Sequence, residues 1–255
     1  GALSVMGYEE RKQPFRPLLP DVRFIHFNEE RELQKITKNT AAVILETIQG
    51  GAGFIVPKNG YLKKVKQRCE EVGALLIVDE IQTGIGRTGK FWGFEHFKII
   101  PDIIISGKGL GGGMPIGAFI AQKKLMDVLK EHPTLGHITT FGGHPVIASA
   151  GVATVNTIQN STLIEDTLEK EQLIRSLLKH PLIKEIRGKG LMLAVLVESP
   201  EIVAKIIHRC LANGLILFFL LFEGRAIRIT PPLTISKKEI SKGCKILLEI
   251  LDELS

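Results

Sequence analysis

Three cysteines in 255 residues, Cys69, Cys210 and Cys244, are too few and too scattered for a disulfide framework or a zinc site. They read as reduced thiols, and cytoplasmic is the expected location. Long apolar runs are missing too. The most apolar stretch, Leu215 to Phe222, falls well short of the roughly 20 residues that span a bilayer. A surplus of one charge is also missing: the net charge is +6, and lysines and arginines are dispersed without a basic stripe or binding motif, which excludes nucleic-acid binding as the main reading. No repeat or low-complexity segment occurs. The first residue is Gly1, not Met, and GALSVMGYEE opens without a preceding strand, so the front of the fold is expected to be missing.

What remains is ample core material in an ordinary soluble composition, with 44% hydrophobic and 24% charged residues. The first half alternates near-continuous Val/Ile/Leu runs with amphipathic stretches. Val22–Phe27, Ala41–Ile48, Ala74–Ile81, Ile103–Ser106 and Gly117–Ala121 are predicted strands, and Gly60–Val72 a helix. This pattern predicts a parallel, doubly wound α/β sheet covered by helices on both faces. After His144-Pro145 the pattern changes. Helices are predicted over Val146–Ile158, Leu163–Leu178, Glu201–Asn213 and Lys237–Leu254, a strand over Ile186–Glu198, and a strand pair around Gly224. The expected domains are 1–152, a large one whose front is missing, and 153–255, a smaller α+β unit.

Asp79 ends the run LLIVD, and Lys108 follows the run PDIIISG, 29 positions later. That interval suits one strand–crossover–strand unit, which would bring both side chains to the carboxyl edge of one sheet. A lysine there can form an imine with a carbonyl cofactor, and an aspartate beside it can keep a pyridinium nitrogen protonated. Both features belong to pyridoxal-phosphate chemistry. Taken alone, Lys108 also fits a surface loop and Asp79 a satisfied structural carboxylate.

Two nucleotide motifs compete for the same residues. LLIVDE fits a Walker B strand and GIGRTGK, residues 84–90, most of a P-loop. Phe91 stands where the magnesium-binding Ser or Thr belongs, however, and two half-motifs this close cannot occupy two strands. GKGLGG, residues 107–112, matches a dinucleotide fingerprint, but Met114-Pro115 and a predicted strand follow in place of the required helix. Gln82 shares a strand face with Glu80 if the strand runs on, and could donate a hydrogen bond to a phenolate oxygen. The loop Gly136–Pro145 offers hydroxyls and amides that suit either a phosphate or an ordinary helix start. Arg228, between Ile227 and Ile229, fits an ion pair at the core's edge or a fork for a carboxylate.

Taken in order, GALSVMG, PLLPDVRF, ILETIQGGAGF, ALLIVDEIQTGIGRTGKFWGFEH, PDIIISGKGLGGGMPIGAF, HITTFGGHP, IRGKGLM and IRITPPLTI resemble the class III aminotransferases of the fold-type-I pyridoxal-phosphate enzymes. That group includes acetylornithine, ornithine and 4-aminobutyrate aminotransferases. The resemblance implies pyridoxal 5′-phosphate as cofactor and amino transfer from an amino acid or ω-amino donor to a 2-oxo acid such as 2-oxoglutarate. It implies that Lys108 holds the cofactor as an imine and shuttles the proton, and that Asp79 pairs with the ring nitrogen. Gln82 would contact the ring's 3-oxygen, and Thr140 would reach the phosphate of a neighbouring subunit in a homodimer with shared sites. Arg228 would clamp the substrate carboxylate, with Glu46 a structural or supporting acid nearby.

The resemblance also marks departures. The family's phosphate-binding turn and ring-stacking aromatic lie upstream of GALSVMG. Gly51 stands where ornithine- and 4-aminobutyrate-type enzymes place a glutamate that masks the carboxylate-binding arginine, and His144 replaces a commoner asparagine. Other readings of the same residues are a decarboxylase or racemase-type enzyme of the same fold, and an inactive fragment that only dimerises.

Overall fold

Apolar runs become strands where a neighbouring run can take up their backbone hydrogen bonds. In the computed structural model, which describes residues 1–58, 60–131, 133–134 and 137–255, four runs of the first half do so. They are β1 (Ala42–Glu46), β2 (Leu75–Asp79), β3 (Ile103–Gly107) and β4 (Gly117–Ala121), in that spatial order. The first three are parallel and β4 runs antiparallel to β3, so the sheet is mainly parallel with one reversed strand. The link from Gly107 to Gly117 is too short for a parallel crossover, which takes about a dozen residues, so the chain has to double back.

Val22–Phe27, expected as a strand, has no ladder partner and runs as irregular chain. Its apolar residues are used differently: Ile25 and Phe27 pack on the core under the sheet, with the Phe27 ring 5.3 Å from that of Tyr61. Ahead of this segment lie two short helices, α1 (Ala2–Val5) and α2 (Glu9–Lys12). The helix α3 (Tyr61–Val72) follows β1 and buries Tyr61, Leu62, Val65 and Cys69 against Leu76 and Val78 of β2. Each such side chain contributes about 1.5–3 kcal/mol by leaving water. On the opposite face Ile77, Ile103 and Ile105 line a cavity.

After α4 (Lys123–Asp127), α5 (Pro145–Gln159) packs on the turn that follows β3, and α6 (Leu163–Leu177) leads to the second sheet. That sheet has the order β5 (Glu185–Lys189), β6 (Met192–Leu196), β8 (Ala226–Ile229), β7 (Phe218–Phe219), antiparallel throughout. The segment 186–198, expected as one strand, is therefore a hairpin that turns at Gly190-Leu191. Strand alternation divides the sheet into two faces. Leu193, Val195 and Ile227 pack under α6, α7 (Pro200–Ala212) and α8 (Lys237–Asp252). Met192, Ala194, Leu196 and Ala226 pack against Ile48 and Phe54, in the segment leaving β1. Arg228 belongs to this second face, because its register partner is Ala194. No helix among the described residues is long and apolar enough to cross a membrane.

Candidate active site

In the parallel ladder Glu46 is the register partner of Asp79, and Asp79 that of Ile105, three residues before Lys108. Three strand ends thus deliver a carboxylate, a carboxylate and a lysine to one edge, with adjacent strands about 4.8 Å apart. Asp79 and Glu46 are half-buried and Lys108 is exposed. Burial is the main cause that raises the Glu46 carboxyl above its ordinary value. The Gly50 amide opposes it, the Asp79 charge adds to it, and the Lys108 charge opposes it. The three groups therefore act on one another. Lys108 itself has φ +44°, a left-handed conformation that costs a residue with a side chain about 1–3 kcal/mol. Its turn, Lys108–Gly111, is held in place by α5.

The chain leaves β2 in a turn built by carboxylates. The Ile81 amide donates to Asp79 Oδ1 at 2.9 Å, which fixes the aspartate's orientation and uses only one of its oxygens. Glu80, wholly buried, accepts from four donors: the hydroxyls of Thr47 and Thr83 (the latter at 2.7 Å) and the amides of Gly93 (2.8 Å) and Phe94 (2.9 Å). Burial pushes its carboxyl up, and those four hydrogen bonds pull it back. Because the strand ends at Asp79, the expected shared face of Glu80 and Gln82 is broken. The Gln82 side-chain amide instead lies against Gly50, whose own amide donates to Glu46 Oε1 at 3.1 Å.

Lys108 opens onto a cavity of about 920 Å³ lined by Ile81, Ile105, Ser106 and Gly107 on one side and by His137, Thr139 and Gly143 on the other. Thr140 is exposed and is not one of the cavity's lining residues, although its neighbour Thr139 is. Gly136, the first residue of the expected phosphate loop, lies outside the described residues. His144 precedes α5 and makes no side-chain cap, and its ring is 6.3 Å from Phe141.

Arg228 lies on the face of the second sheet turned toward Ile48 and Phe54, in the segment leaving β1. Its Nε donates to Thr230 Oγ1 at 3.1 Å, and its guanidinium lies 5.6 Å from the centre of the Phe218 ring. Among the described residues no carboxylate pairs with it, so the ion pair considered from sequence is not formed. Gly51 touches Phe222: its carbonyl accepts the Phe222 amide at 2.9 Å, and a Cβ on it would lie 2.8 Å from the ring. Two residues went unassigned in the sequence. Glu80 gave a faint signal, a second acid at the end of an apolar run. Arg87 gave one only through its P-loop-like surroundings.

The family model described as Aminotransferase class-III matches residues 1–251. The chain belongs to the class-III aminotransferases. It is 39% identical to a putrescine aminotransferase of Pectobacterium atrosepticum, over all of this chain and 57% of that protein. It is 37% identical to an acetylornithine aminotransferase of Caldanaerobacter subterraneus, over all of this chain and 64% of that one. Among solved structures, the ornithine aminotransferase of Toxoplasma gondii, whose active site is described as partly occupied by pyridoxal phosphate, superposes with a TM-score of 0.91 at 33% identity, covering 99% of this chain and 60% of that one. The acetylornithine aminotransferase of Elizabethkingia anophelis gives a TM-score of 0.84 at 34% identity, covering 94% and 62%. The fold is the fold-type-I α/β architecture of pyridoxal-phosphate enzymes, with a mixed sheet. The chain spans 57% to 64% of the length of these relatives.

Class-III aminotransferases use pyridoxal 5′-phosphate. The residues present fit that group. Asp79 keeps one oxygen unengaged by the turn, Lys108 borders a cavity, and the buried Ser106 hydroxyl beside it has no hydrogen-bond partner among the described residues.

Proposed function

We propose that this chain supplies the lysine-bearing part of an aminotransferase site that moves an amino group from an amino acid or ω-amino donor to a 2-oxo acid, with 2-oxoglutarate as the acceptor. The carriage of Lys108 and Asp79 on neighbouring strand ends, with Glu46 beside them, is the observation that supports it most directly. Pyridoxal phosphate, when bound, supplies a carbonyl that accepts amino groups and a ring that withdraws electrons from the substrate's α-carbon.

Each residue then has a task. Lys108 binds the cofactor and carries the proton between positions as a general base and acid. Its exposed, left-handed turn leaves the amine reachable from the cavity. Asp79, oriented by the Ile81 amide, presents its second oxygen to a ring N–H. Gln82 serves the ring's oxygen from its place against Gly50, and Glu46 fixes that loop through the Gly50 amide. Arg228, with no carboxylate partner among the described residues, binds the substrate's carboxylate.

Thr140 would serve a second subunit. Ile138, Phe141, Val146 and Val152, around it and on α5, are 60% to 72% exposed, which supports a homodimer closing over this face. Two separate sheets, one on each side of α5, support domains at 1–152 and 153–255, the boundary falling within α5. Three unpaired, buried cysteines support a cytoplasmic protein.

The test is covalent trapping. Borohydride added to the protein with pyridoxal phosphate should fix the cofactor to the peptide carrying Lys108, as read by mass spectrometry, and Lys108→Ala should abolish the adduct. Cofactor fixed at another lysine, or no glutamate formed from 2-oxoglutarate with any amino donor, would sink the proposal.

A further inference from the structure

The segment Gly84–Lys90 resembled a phosphate loop in sequence and has no part in the site described above. In the structure it belongs to the loop that follows β2 and meets the second sheet. Arg87 is its point of contact. The Arg87 carbonyl accepts the Leu191 amide at 3.0 Å, and Gly190 approaches so closely that a Cβ there would lie 2.6 Å from that carbonyl oxygen. The Arg87 Nη1 donates to the carbonyls of Leu191 (3.2 Å) and Pro231 (2.5 Å). Leu191 precedes β6, and Pro231 lies three residues beyond Arg228. One guanidinium therefore ties down the strand that carries Arg228 and the strand beside it.

Arg87 has no carboxylate partner among the described residues either. Burial lowers its pKa below the ordinary arginine value, and the Arg228 charge lowers it further. Two half-buried guanidinium groups, neither with a carboxylate partner among the described residues, are costly to maintain unless an anion completes the set.

We propose that Arg87 is a positioning residue for Arg228, and that the two charges together make the clamp selective for ligands carrying carboxylates. Arg87 acts by fixing the end of β8 through Pro231 and by adding a second positive charge behind the clamp. This rests on the reading of Arg228 as the carboxylate clamp. A lysine at position 87 keeps the charge but loses the planar fork that reaches two carbonyls, so it restores binding only in part.

Glutarate, an unreactive dicarboxylate, is the probe. Its affinity is measured by calorimetry in the cofactor-loaded wild type, R87K, R87M and R228Q, together with each variant's unliganded thermal midpoint and cofactor absorbance. R87M should weaken glutarate binding about tenfold or more, and R87K less. The cofactor absorbance should stay unchanged, and with glutamate as donor KM should rise more than kcat falls. R87M, or a folded R87K if R87M does not fold, binding glutarate as wild type does while R228Q does not, overturns the role of Arg87 alone. Wild-type affinity in R228Q removes the clamp and this proposal with it. Cofactor absorbance and kcat falling in step with affinity would mark Arg87 as a general strut and would also overturn it.

Discussion

The Glu80 carboxylate accepts the Phe94 amide proton at 2.9 Å through the same oxygen that takes the Thr47 hydroxyl. Its other oxygen repeats the arrangement with Gly93 and Thr83. Hydroxyls can rotate to donate or accept, but amides only donate. Glu80→Gln therefore sets an NH2 group against one backbone N–H. The expected cost is about 1–3 kcal/mol, seen as a thermal midpoint several degrees lower. A midpoint equal to wild type would mean the four-donor arrangement does not bear on stability.

Glu46 gives a pH signature. Its folded-state carboxyl titrates above the ordinary value of 4.5, chiefly because of burial, so the folded protein holds the proton more tightly than the unfolded chain. Its stabilising contribution is complete below pH 4.5 and is lost as pH rises through the raised folded-state value. Glu46→Gln should flatten that part of the profile. Urea midpoints for both proteins between about pH 4 and 8 will show it, and an unchanged slope in the variant would refute it.

Gly51 and Phe222 should be coupled. The ring stands 2.8 Å from the position of a Cβ on Gly51, so Gly51→Ala overpacks the contact at about 1–3 kcal/mol. Phe222→Ala should relieve most of that cost in the double variant. Denaturant titration of the four proteins gives the coupling energy directly, and simple additivity would argue against the contact. Gly51→Glu, the residue expected in ornithine-type relatives, should be less stable than Gly51→Ala for the same reason.

Lys108→Ala and Asp79→Asn should separate in solution. The first removes the proposed proton carrier and should cost about 10²–10⁴-fold in turnover, with no comparable loss of stability, since the side chain is exposed. The second keeps the Oδ1 bond to the Ile81 amide and so retains the turn, while removing the charge proposed to face the ring nitrogen. Absorbance of the bound cofactor, with circular dichroism as a fold control, distinguishes the two. Equal cofactor spectra in Asp79→Asn and wild type would remove Asp79 from its assigned role.

The strand ends were legible because an apolar run that stops at a charged residue marks both a buried strand and its edge, as with Asp79 and Lys108. Direction was not. Nothing in the periodicity of Gly117–Ala121 states that it runs against β3, and only the short link from Gly107 decides it. Val22–Phe27 carried a strand's composition but found no partner, because pairing depends on neighbours and not on the run itself. The hairpin at Gly190 was hidden because EIRGK has one apolar residue, Ile186, and so reads as a glycine-rich entry to the apolar run after the turn. Glu80 and Arg87 were least visible of all. Their partners, Thr47 and Phe94 in one case and Leu191 and Pro231 in the other, become neighbours only after folding.

The two faces of the second sheet have a consequence for how variation along β8 will be tolerated. Ile227 points into the helix-covered core and Arg228, one position on, into the opposite side. A saturation library over this strand should alternate with a period of two. Damage at Ile227 should appear as poor yield of folded enzyme, and damage at Arg228 as well-folded enzyme with altered substrate preference. Where natural variants have exchanged donors, the changes on this strand should fall at Arg228 and leave the buried Ala226 and Ile227 undisturbed.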